Sequence, residues 1–419
     1  MKNQFERVCM VGLGYIGLPT AAVMASRGLK VIGLDVNPHV VETLNKGKIH
    51  IVEPGLDALV HGTVADGFLR ATVTPESADA FLIAVPTPFM GDGHEPDLSY
   101  IESSARNIAP VLKAGNLVIL ESTSPVGATE KLSRWLAEAR PDLTFPHQVG
   151  EAADVNVAHC PERVLPGRVL HELVDNDRVI GGMTPKCAER GAALYKNFVE
   201  GECIVTNART AEMAKLTENA FRDVNIAFAN ELSLICDRLG IDVWELIGLA
   251  NRHPRVNILK PGPGVGGHCI AVDPWFIVDS APDLAKLIHT ARDVNDGKPH
   301  YVIDQVRSAV KSVSGMPVIA CLGLAFKPDI DDLRESPAME IAADLALAKM
   351  GRLLVVEPHV TELPKALVGL PGVEWVTDAE IAIKQADVVL LLVDHRVFSQ
   401  VDRACLEGKT VIDTRGMWR

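Results

Sequence analysis

The sequence of 419 residues lacks any apolar run long enough to span a bilayer, and its start has no signal-peptide pattern. Its eight cysteines include no C-x-x-C pair, so no zinc site of the usual spacing, and no other metal, is predicted. A net charge of −13 is not that of a nucleic-acid-binding surface. These absences predict a cytoplasmic protein with reduced thiols that binds neither nucleic acid nor membrane.

The chain is too long for one ordinary hydrophobic core, and strand and helix patterns alternate along it. Strand, loop and helix patterns follow one another from Arg7 and again from Pro317, and one long helical pattern covers 208–240. We predict an α/β protein with two Rossmann-like doubly wound domains joined by a central helical domain. A Gly- and Pro-containing stretch near 300–316 predicts the second boundary. The predicted domains are residues 1–205, 206–305 and 306–419.

The first strand pattern, at 7–11, runs directly into GLGYIG and a helix pattern. In this setting Gly12 makes the tight turn, Gly14 lets the backbone approach a pyrophosphate, and Gly17 lets helix and strand pack closely. Asp35 ends the next strand, where a carboxylate accepts hydrogen bonds from a ribose 2′-hydroxyl and repels a 2′-phosphate. The pattern therefore predicts NAD rather than NADP as the cofactor; the alternative is a Gly-rich structural turn.

Polar residues follow the later strand patterns of the first domain. Thr87 ends AFLIAVPTP, and Thr123 lies in NLVILESTSPVG. Because the carboxyl ends of parallel strands line the ligand crevice, both threonines are candidate cofactor contacts, or else helix-cap or turn hydroxyls. Glu162, in NVAHCPERVLPG, could orient a water or form a loop ion pair. Cys160 is a rival nucleophile, but its place before a proline favours structural burial.

The helical pattern 208–240 carries a Lys215–Asn219 pair, four residues apart and so on one face. The pair is either functional or simply exposed on a helix. The same segment predicts a wide apolar face. Its members are Met213, Leu216, Ala220, Val224, Ala227, Leu232 and Ile235. A second helix is predicted over 241–253.

The stretch PGPGVGGHCIAVDPW, residues 261–275, has four glycines and two prolines in its first seven positions. Such a loop bends tightly with little side chain, and it delivers Cys269 followed four residues later by Asp273. Ahead of it, His253 and Arg255 could meet phosphate or sugar hydroxyls, or could complement a helix C-terminus.

The second Rossmann-like unit begins with GLAFKP, which lacks the third glycine spacing of a dinucleotide site. We therefore predict no second NAD site there. The unit could bind a different nucleotide, with Lys327 and Arg334 as candidate contacts.

Seven motifs occur in order along nearly the whole chain: GLGYIGLP, AVPTP, ESTSPVG, CPER, AEMAKLTEN, PGPGVGGHC and GLAFKPDIDDLRESP. Together they resemble the UDP-glucose/GDP-mannose dehydrogenase family, and most closely its bacterial branch acting on UDP-N-acetyl-D-mannosamine for surface polysaccharides. The resemblance implies a four-electron oxidation in which two NAD molecules convert a sugar C6 hydroxyl to a carboxylate. It also implies a homodimer joined through helix 208–240, whose apolar face could equally pack within one chain.

The resemblance also implies roles for individual residues. Cys269 would be the nucleophile that forms a thiohemiacetal and then a thioester. Lys215 and Asn219 would lie near the reacting oxygen, with Asp273 working on the proton. Glu162 would be the base for thioester hydrolysis, helped through a water by Thr123. The implied cofactor contacts are Gly12, Gly14, Tyr15, Ile16, Gly17, Asp35, Thr87, Thr123 and Arg334. The implied substrate contacts are Arg163, Val164, Lys215, Asn219, His253, Arg255, Gly266, Phe326, Lys327 and Arg415.

Three departures from the broader family pattern argue against UDP-glucose as the substrate. Pro166 replaces a Glu of PEFLxE, Val265 replaces the Phe of GFGGxC, and Val272 replaces the Lys of CxPKD. The alternatives are a dehydrogenase for the epimer UDP-N-acetylglucosamine, a two-electron β-hydroxyacid dehydrogenase, and a non-catalytic nucleotide-sugar- or NAD-binding regulator. The second needs neither a nucleophilic thiol nor a third domain.

Overall fold

The computed structural model describes residues 5–91, 94–165, 167–267 and 269–419, so Pro166 lies outside the described residues. The chain forms two compact units, one ending at Glu218 and the other comprising Asn219–Arg419. Among the described residues, no helix combines the length and apolar character that crossing a bilayer requires. The two predicted domain boundaries stay predictions.

The first unit is built on one large sheet that follows the predicted strand patterns. Its strands, with a separate short pair β5 and β6, are β1 (Arg7–Val11), β2 (Lys30–Leu34), β3 (Leu69–Thr72), β4 (Ala80–Ile83), β5 (Phe89–Met90), β6 (Glu95–Pro96), β7 (Leu117–Leu120), β8 (Asn156–His159), β9 (Arg178–Gly182) and β10 (Cys203–Asn207). The order across the sheet is β10-β9-β8-β7-β4-β1-β2-β3. Every pair is parallel except β8 with β9. The order reverses between β1 and β4, which is where ligands bind in such sheets.

Helices cover both faces of this sheet, and each face has its own cluster of buried apolar side chains. The helices are α1 (Gly17–Ser26), α2 (Pro38–Asn45), α3 (Leu56–Ala65), α4 (Ser99–Ile108), α5 (Ala128–Ala139), α6 (Pro146–Val149), α7 (Val169–Asp175) and α8 (Pro185–Tyr195). Asn37 and Thr184 each cap a helix by accepting a backbone N–H, and a proline follows each of them.

The long predicted helix is confirmed as α9 (Ala208–Leu239). Leu216, Ala220 and Ala227 are buried, as the apolar pattern predicts. Met213 and Ile235, from the same predicted apolar face, are exposed in the single chain. A helix of 32 residues presents several faces, and one packing partner buries only some of them. Residue type alone does not tell which face is buried within the chain.

The second unit contains the remaining helices and a five-stranded sheet. Its elements are α10 (Val243–Ala250), α11 (Asp273–Ser280), α12 (Lys286–Val310), β11 (Val318–Leu322), α13 (Pro337–Leu347), β12 (Arg352–Val356), β13 (Val373–Trp375), α14 (Ala379–Gln385), β14 (Val388–Leu391) and β15 (Thr410–Asp413). The helix predicted over 241–253 ends earlier than expected, at Ala250, and Asp242 caps its start by accepting the N–H groups of Trp244 and Glu245.

Helix α12 corrects one expectation about the chain. It runs without interruption through Gly297 and Pro299 to Val310, so residues 300–310 are helical rather than a linker. Val302 and Val306 are buried in one core with residues of β11 and α13, and burial of this face stabilises the helix beyond the proline.

The second sheet has the order β13-β12-β11-β14-β15 and is parallel throughout, with its reversal between β11 and β14. Its first turn repeats that of the first unit. Gly12 and Gly323 have φ angles of +90° and +88°. Their N–H groups donate to Leu34 O and Val356 O, both at 2.8 Å. The two sheets and the long helix confirm the predicted α/β fold with two doubly wound sheets and a helical region between them.

Candidate active site

The turn after β1 has the geometry that a pyrophosphate-binding turn requires. A Cβ on Gly12 would lie 2.6 Å from Ala84 O, and one on Gly17 would lie 1.8 Å from Gly12 O. Both positions therefore exclude a side chain. Gly14 has no atom within 4 Å of its Cβ position, so its side of the turn is open to a ligand. Tyr15 and Ile16 complete the turn, and Ile16 occupies the N-cap position of α1.

Asp35 fixes this turn from the end of β2. Its Oδ2 accepts Leu13 N–H and its Oδ1 accepts Asn37 N–H, both at 2.9 Å. Each carboxylate oxygen keeps a further lone pair, which can accept a ribose hydroxyl. The residues present therefore fit a dinucleotide, with the phosphate-binding turn and the ribose acceptor joined by one hydrogen bond.

The two candidate threonines lie together at the carboxyl ends of neighbouring strands. Thr87 Oγ1 donates to Thr123 O at 2.6 Å, and Thr87 is buried. Ser122 joins the same two loops, since its Oγ accepts Val85 N–H at 2.9 Å. The structure thus places both threonines beside the switch point of the first sheet.

Glu162 is held in a buried ion pair rather than in a solvated loop. Its carboxylate accepts Arg178 Nη1 at 2.7 Å and Arg163 N–H at 2.6 Å, and the residue is 7 % exposed. Cys160, two residues earlier, is buried as predicted, and burial raises the pKa of its thiol well above the ordinary value. A thiol that resists ionisation is a poor nucleophile, which argues against Cys160 in that role.

The two residues after Glu162, Arg163 and Val164, lie in different environments. The Arg163 guanidinium pairs with Glu218, with Nη2 2.7 Å from Oε1. Val164 packs against the apolar cluster on one face of the first sheet.

The loop that carries the candidate nucleophile forms a turn into α11. Cys269 O accepts the N–H groups of Val272 at 3.1 Å and Asp273 at 2.9 Å. Cys269 is exposed, whereas Asp273, at the start of α11, is 2 % exposed. The turn therefore presents a thiol at the surface and a carboxyl group in the interior, four residues apart.

Asn219 reaches Asp273 from the long helix. Its Nδ2 donates to Asp273 Oδ2 at 2.5 Å, so α9 orients the carboxylate that follows the Cys269 turn. Lys215 lies in α9 four residues before Asn219 and is half-buried. Asn219 and Asp273 are both candidate site residues from the sequence. They lie 54 positions apart in the chain, and the structure brings them into contact.

The glycines before Cys269 allow close packing against the segment 326–337 of the same unit. A Cβ on Gly266 would lie 2.4 Å from Glu335 O and 2.7 Å from Pro337 Cδ. Gly267 has a φ of +85°, and its Cβ position lies 3.0 Å from the Phe326 ring. The glycines are therefore required by contacts within the protein, a reason that the sequence pattern does not reveal.

Gly266→Ala is expected to destabilise the second unit, because backbone and a proline ring occupy the space of the new methyl group. We expect a loss of about 1–3 kcal/mol in the free energy of unfolding. Gly297→Ala is the matched control, since it lies inside α12 with no atom near its Cβ position and alanine favours a helix by about 0.8–1.0 kcal/mol. Urea denaturation of both variants measures the difference; equal midpoints would contradict the packing argument.

A pocket in the second unit lies beside this loop. It is lined by residues of the loop and of the carboxyl ends of the second sheet, among them Gly264, Phe326, Lys327, Leu392 and Arg415. Arg415 is oriented by Asp394, which accepts its Nε at 2.8 Å. The pocket combines an aromatic ring with two cations, which suits a nucleotide base and its phosphates.

Three further candidates do not line this pocket. His253 and Arg255 are exposed in the segment after α10, where His253 Nδ1 accepts Arg255 N–H at 3.3 Å. The Arg334 guanidinium is bound in bidentate fashion by Asp332, at 2.9 and 2.6 Å.

Family models match the chain in three consecutive parts. The NAD binding domain of the UDP-glucose/GDP-mannose dehydrogenase family matches residues 6–199, the central domain 209–297 and the UDP binding domain 320–419. The chain belongs to the UDP-glucose/GDP-mannose dehydrogenase family. The resemblance seen in the seven motifs is confirmed. This member of the family is an NAD-dependent dehydrogenase, and its C-terminal domain binds the UDP part of a nucleotide sugar.

Relatives and solved structures cover almost all of this chain. A Ralstonia nicotianae NDP-N-acetyl-D-galactosaminuronic acid dehydrogenase is 67% identical, over 99% of this chain and 96% of its own. A Yersinia pestis UDP-N-acetyl-D-mannosamine dehydrogenase is 65% identical, over 99% and 100%. The structure of a UDP-D-ManNAc dehydrogenase from Pyrococcus horikoshii matches with TM-score 0.86 and 38% identity, over 99% and 96% of the two chains.

The family motifs include only one of the three residues that surround Glu162: Glu121 begins ESTSPVG, whereas Arg178 and Tyr195 lie outside the seven motifs. A buried group surrounds Glu162, made of Glu121 directly after β7, Arg178 on β9 and Tyr195 at the end of α8. For Arg178 and Tyr195 the only sequence signal is a charged or polar residue at the edge of an apolar run. Which of them meet depends on strand order, which a single sequence does not contain.

Asp35→Ala is expected to weaken NAD binding by about tenfold to a hundredfold, because hydrogen bonds to a charged group contribute about 1.5–3 kcal/mol. The advantage of NAD over NADP should shrink, since the repulsion of a 2′-phosphate disappears with the carboxylate. KM values for both cofactors measure this, with exposed Asp66→Ala in the same unit as the control. An unchanged cofactor preference would show that another group selects NAD.

Proposed function

We propose that this enzyme oxidises the C6 hydroxyl of UDP-N-acetyl-D-mannosamine to a carboxylate, with two NAD per sugar, for surface polysaccharide synthesis. The observation that carries the proposal is the turn that exposes Cys269 four residues before a buried Asp273 bound to Asn219. A two-electron alcohol dehydrogenase does not need this thiol. The name of the Yersinia pestis relative supports the choice of sugar.

In the first oxidation the chain must hold C6 and accept the hydroxyl proton. NAD, when bound, accepts a hydride from C6 in each of the two oxidations. The hydroxyl proton passes to Lys215 or to a water held by Asp273, whose orientation Asn219 fixes. Where the water takes the proton, Lys215 instead stabilises the developing oxyanion, because an ammonium supplies a charged donor but accepts no proton.

In the second oxidation Cys269 keeps the aldehyde on the enzyme. Its thiolate adds to the aldehyde carbon and gives a thiohemiacetal, which becomes a thioester once the hydride has left. Water then attacks the thioester carbon, its proton passes to Glu162, and the Cys269 thiolate leaves. Thr123 is proposed to help place that water.

The nucleotide end of the substrate is assigned to the second unit. Phe326, Lys327 and Arg415 line the pocket beside Gly266 and would hold the uracil and phosphates. His253 and Arg255 would add contacts to phosphate or sugar. Arg163 and Val164 are proposed as sugar contacts, and Arg334 as a cofactor contact.

A second substrate has support from one relative. The Ralstonia nicotianae protein is named for N-acetyl-D-galactosaminuronic acid, a different sugar configuration, at slightly higher identity. The epimer UDP-N-acetylglucosamine is the other alternative. The residues of the chemical step are the same for all three sugars, so the choice rests on ring contacts.

A panel of three sugars tests the substrate. Initial rates of NADH formation should give the highest kcat/KM for UDP-N-acetyl-D-mannosamine, with the gluco and galacto sugars at least tenfold lower, since one misplaced hydroxyl costs about 1.4 kcal/mol or more. A higher kcat/KM for either other sugar would overturn the substrate while leaving the reaction class intact. A short β-hydroxyacid belongs in the same panel. NADH formation from it would support the two-electron alternative, and no NADH formation would exclude it.

The enzyme is also proposed to be a homodimer joined through α9. Phe221, Phe228 and Ile235 recur every seven residues along this helix and are 70 %, 50 % and 46 % exposed. A stripe of large exposed apolar side chains is typical of an interaction surface. Light scattering should give twice the chain mass of 45.2 kDa; the mass of one chain would contradict the dimer.

A further inference from the structure

Two carboxyl groups follow neighbouring strands of the first sheet. Strands β7 and β8 are paired in parallel, with Leu120 opposite His159. Glu121 comes directly after β7, and Glu162 comes three residues after β8. Both therefore lie at the carboxyl edge of the sheet, where ligands bind.

These carboxyl groups share one buried cation. Arg178 Nη1 donates to Glu162 Oε2 at 2.7 Å, and the Arg178 guanidinium lies 5.9 Å from the centre of the Tyr195 ring. The Tyr195 hydroxyl donates to Glu121 Oε1. All four residues are buried, with Glu121 only 3 % exposed. Two carboxyl groups and one guanidinium would leave an uncompensated negative charge in the interior if both carboxyl groups were ionised.

One oxygen of Glu121 shows where a proton can be held. Among the described residues, Glu121 Oε2 and Arg178 Nε are buried and have no hydrogen-bond partner. An ionised Oε2 in that position would be desolvated without compensation, whereas a protonated carboxyl group costs much less to bury.

The environment of Glu121 favours its neutral form. Burial raises the pKa of Glu121 to about 7, and the charge of Glu162 adds to the rise. The Tyr195 hydroxyl and the Arg178 charge act in the opposite direction. Cys160, directly after β8, lies near the same group, and burial raises the pKa of its thiol, so it adds no charge near neutral pH.

We propose that Glu121 is a positioning residue for the hydrolytic step. It carries the one proton that the two carboxyl groups share, so that Arg178 forms its ion pair with the Glu162 carboxylate alone. In this state Glu162 can take the proton of the attacking water. When Glu121 ionises as well, it competes for Arg178 and repels the Glu162 carboxylate. The inference rests on the proposed role of Glu162.

The experiment separates thioester formation from its hydrolysis. Enzyme is mixed with UDP-N-acetyl-D-mannosamine and excess NAD between pH 5.5 and 9, and rapid quenching follows both NADH and sugar bound covalently to protein. In the wild type the decay of bound sugar should slow about tenfold per pH unit above a midpoint near 7, because one proton controls the step. The NADH-forming phases should not share this midpoint.

Two variants give opposite, specific results. Glu121→Gln fixes the neutral form, so the decay rate should no longer fall above pH 7. Tyr195→Phe removes a hydrogen bond to the ionised form, so the midpoint should move to higher pH. Exposed Glu138→Gln in the same unit is the control and should behave like the wild type. A falling limb with an unchanged midpoint in Glu121→Gln would overturn the proposal.

A measurement without substrate keeps this inference separate from the proposed function. The pKa of Glu121 in the folded protein lies above its ordinary value, so its contribution to stability is present at low pH and is lost as pH rises through about 7. Between pH 5 and 8 the free energy of unfolding should fall more steeply for wild type than for Glu121→Gln. Equal slopes would overturn the shared proton, whereas absent NADH formation with unequal slopes would overturn only the proposed reaction.

Discussion

Cys269→Ser is expected to reduce formation of the carboxylate product by more than about a thousandfold, because a serine hydroxyl does not ionise near neutral pH and is a much weaker nucleophile. NAD binding should stay unchanged, since the dinucleotide turn belongs to the other compact unit. Mass spectrometry of the sugar product, together with titration of NAD, measures both effects.

A matched cysteine separates this chemistry from general effects of losing a thiol. Cys405→Ser changes a half-buried cysteine of the same unit, and its activity should match that of the wild type. If Cys269→Ser formed the uronic acid at the wild-type rate, the thioester route would be refuted, and water would have to attack the aldehyde without covalent capture.

Asp273→Asn is expected to lower kcat by about 10²–10⁴-fold, the range typical of losing a positioned acid–base group. The amide keeps nearly the same volume and one oxygen that can accept from Asn219, but it has no negative charge and cannot take up a proton. The first NADH-forming phase in rapid mixing reports this loss, because the proton leaves the hydroxyl in that phase.

Asp279→Asn is the control for this change, since Asp279 is an exposed carboxylate on the same helix. Its kcat should equal that of the wild type. A first phase of normal rate in Asp273→Asn would show that Lys215 alone accepts the proton, and Asp273 would then have only a structural role.

Local features of the chain could be predicted from sequence because local physics determines them. The turn at Gly12 requires a positive φ and a close approach to Ala84. Glycine meets both requirements, so the GLGYIG motif predicts the turn from a few neighbouring residues. The cap of α10 by Asp242 is equally local, although the helix ends earlier than its apolar pattern predicts. Strand β1 is buried on both faces, and its unbroken apolar run identifies it directly.

Features that depend on distant contacts could not be predicted. The glycine loop packs on Glu335 and Pro337, which lie about 70 residues further along the chain. Glu162 appears as a surface residue in the sequence, yet Arg178 from an antiparallel strand neutralises it in the interior. Helix α12 continues through Pro299 because its residues after the proline are buried. In the sequence a proline predicts the end of a helix, and the burial that overcomes it is not visible there.

The central claim is a four-electron oxidation that passes through Cys269, and the yield of NADH from a limiting amount of sugar tests it most directly. With a known quantity of UDP-N-acetyl-D-mannosamine and excess NAD, the account predicts about two NADH per sugar at completion. About one NADH per sugar would contradict it, because the enzyme would then stop at the aldehyde and the exposed thiol before α11 would have no part in the reaction.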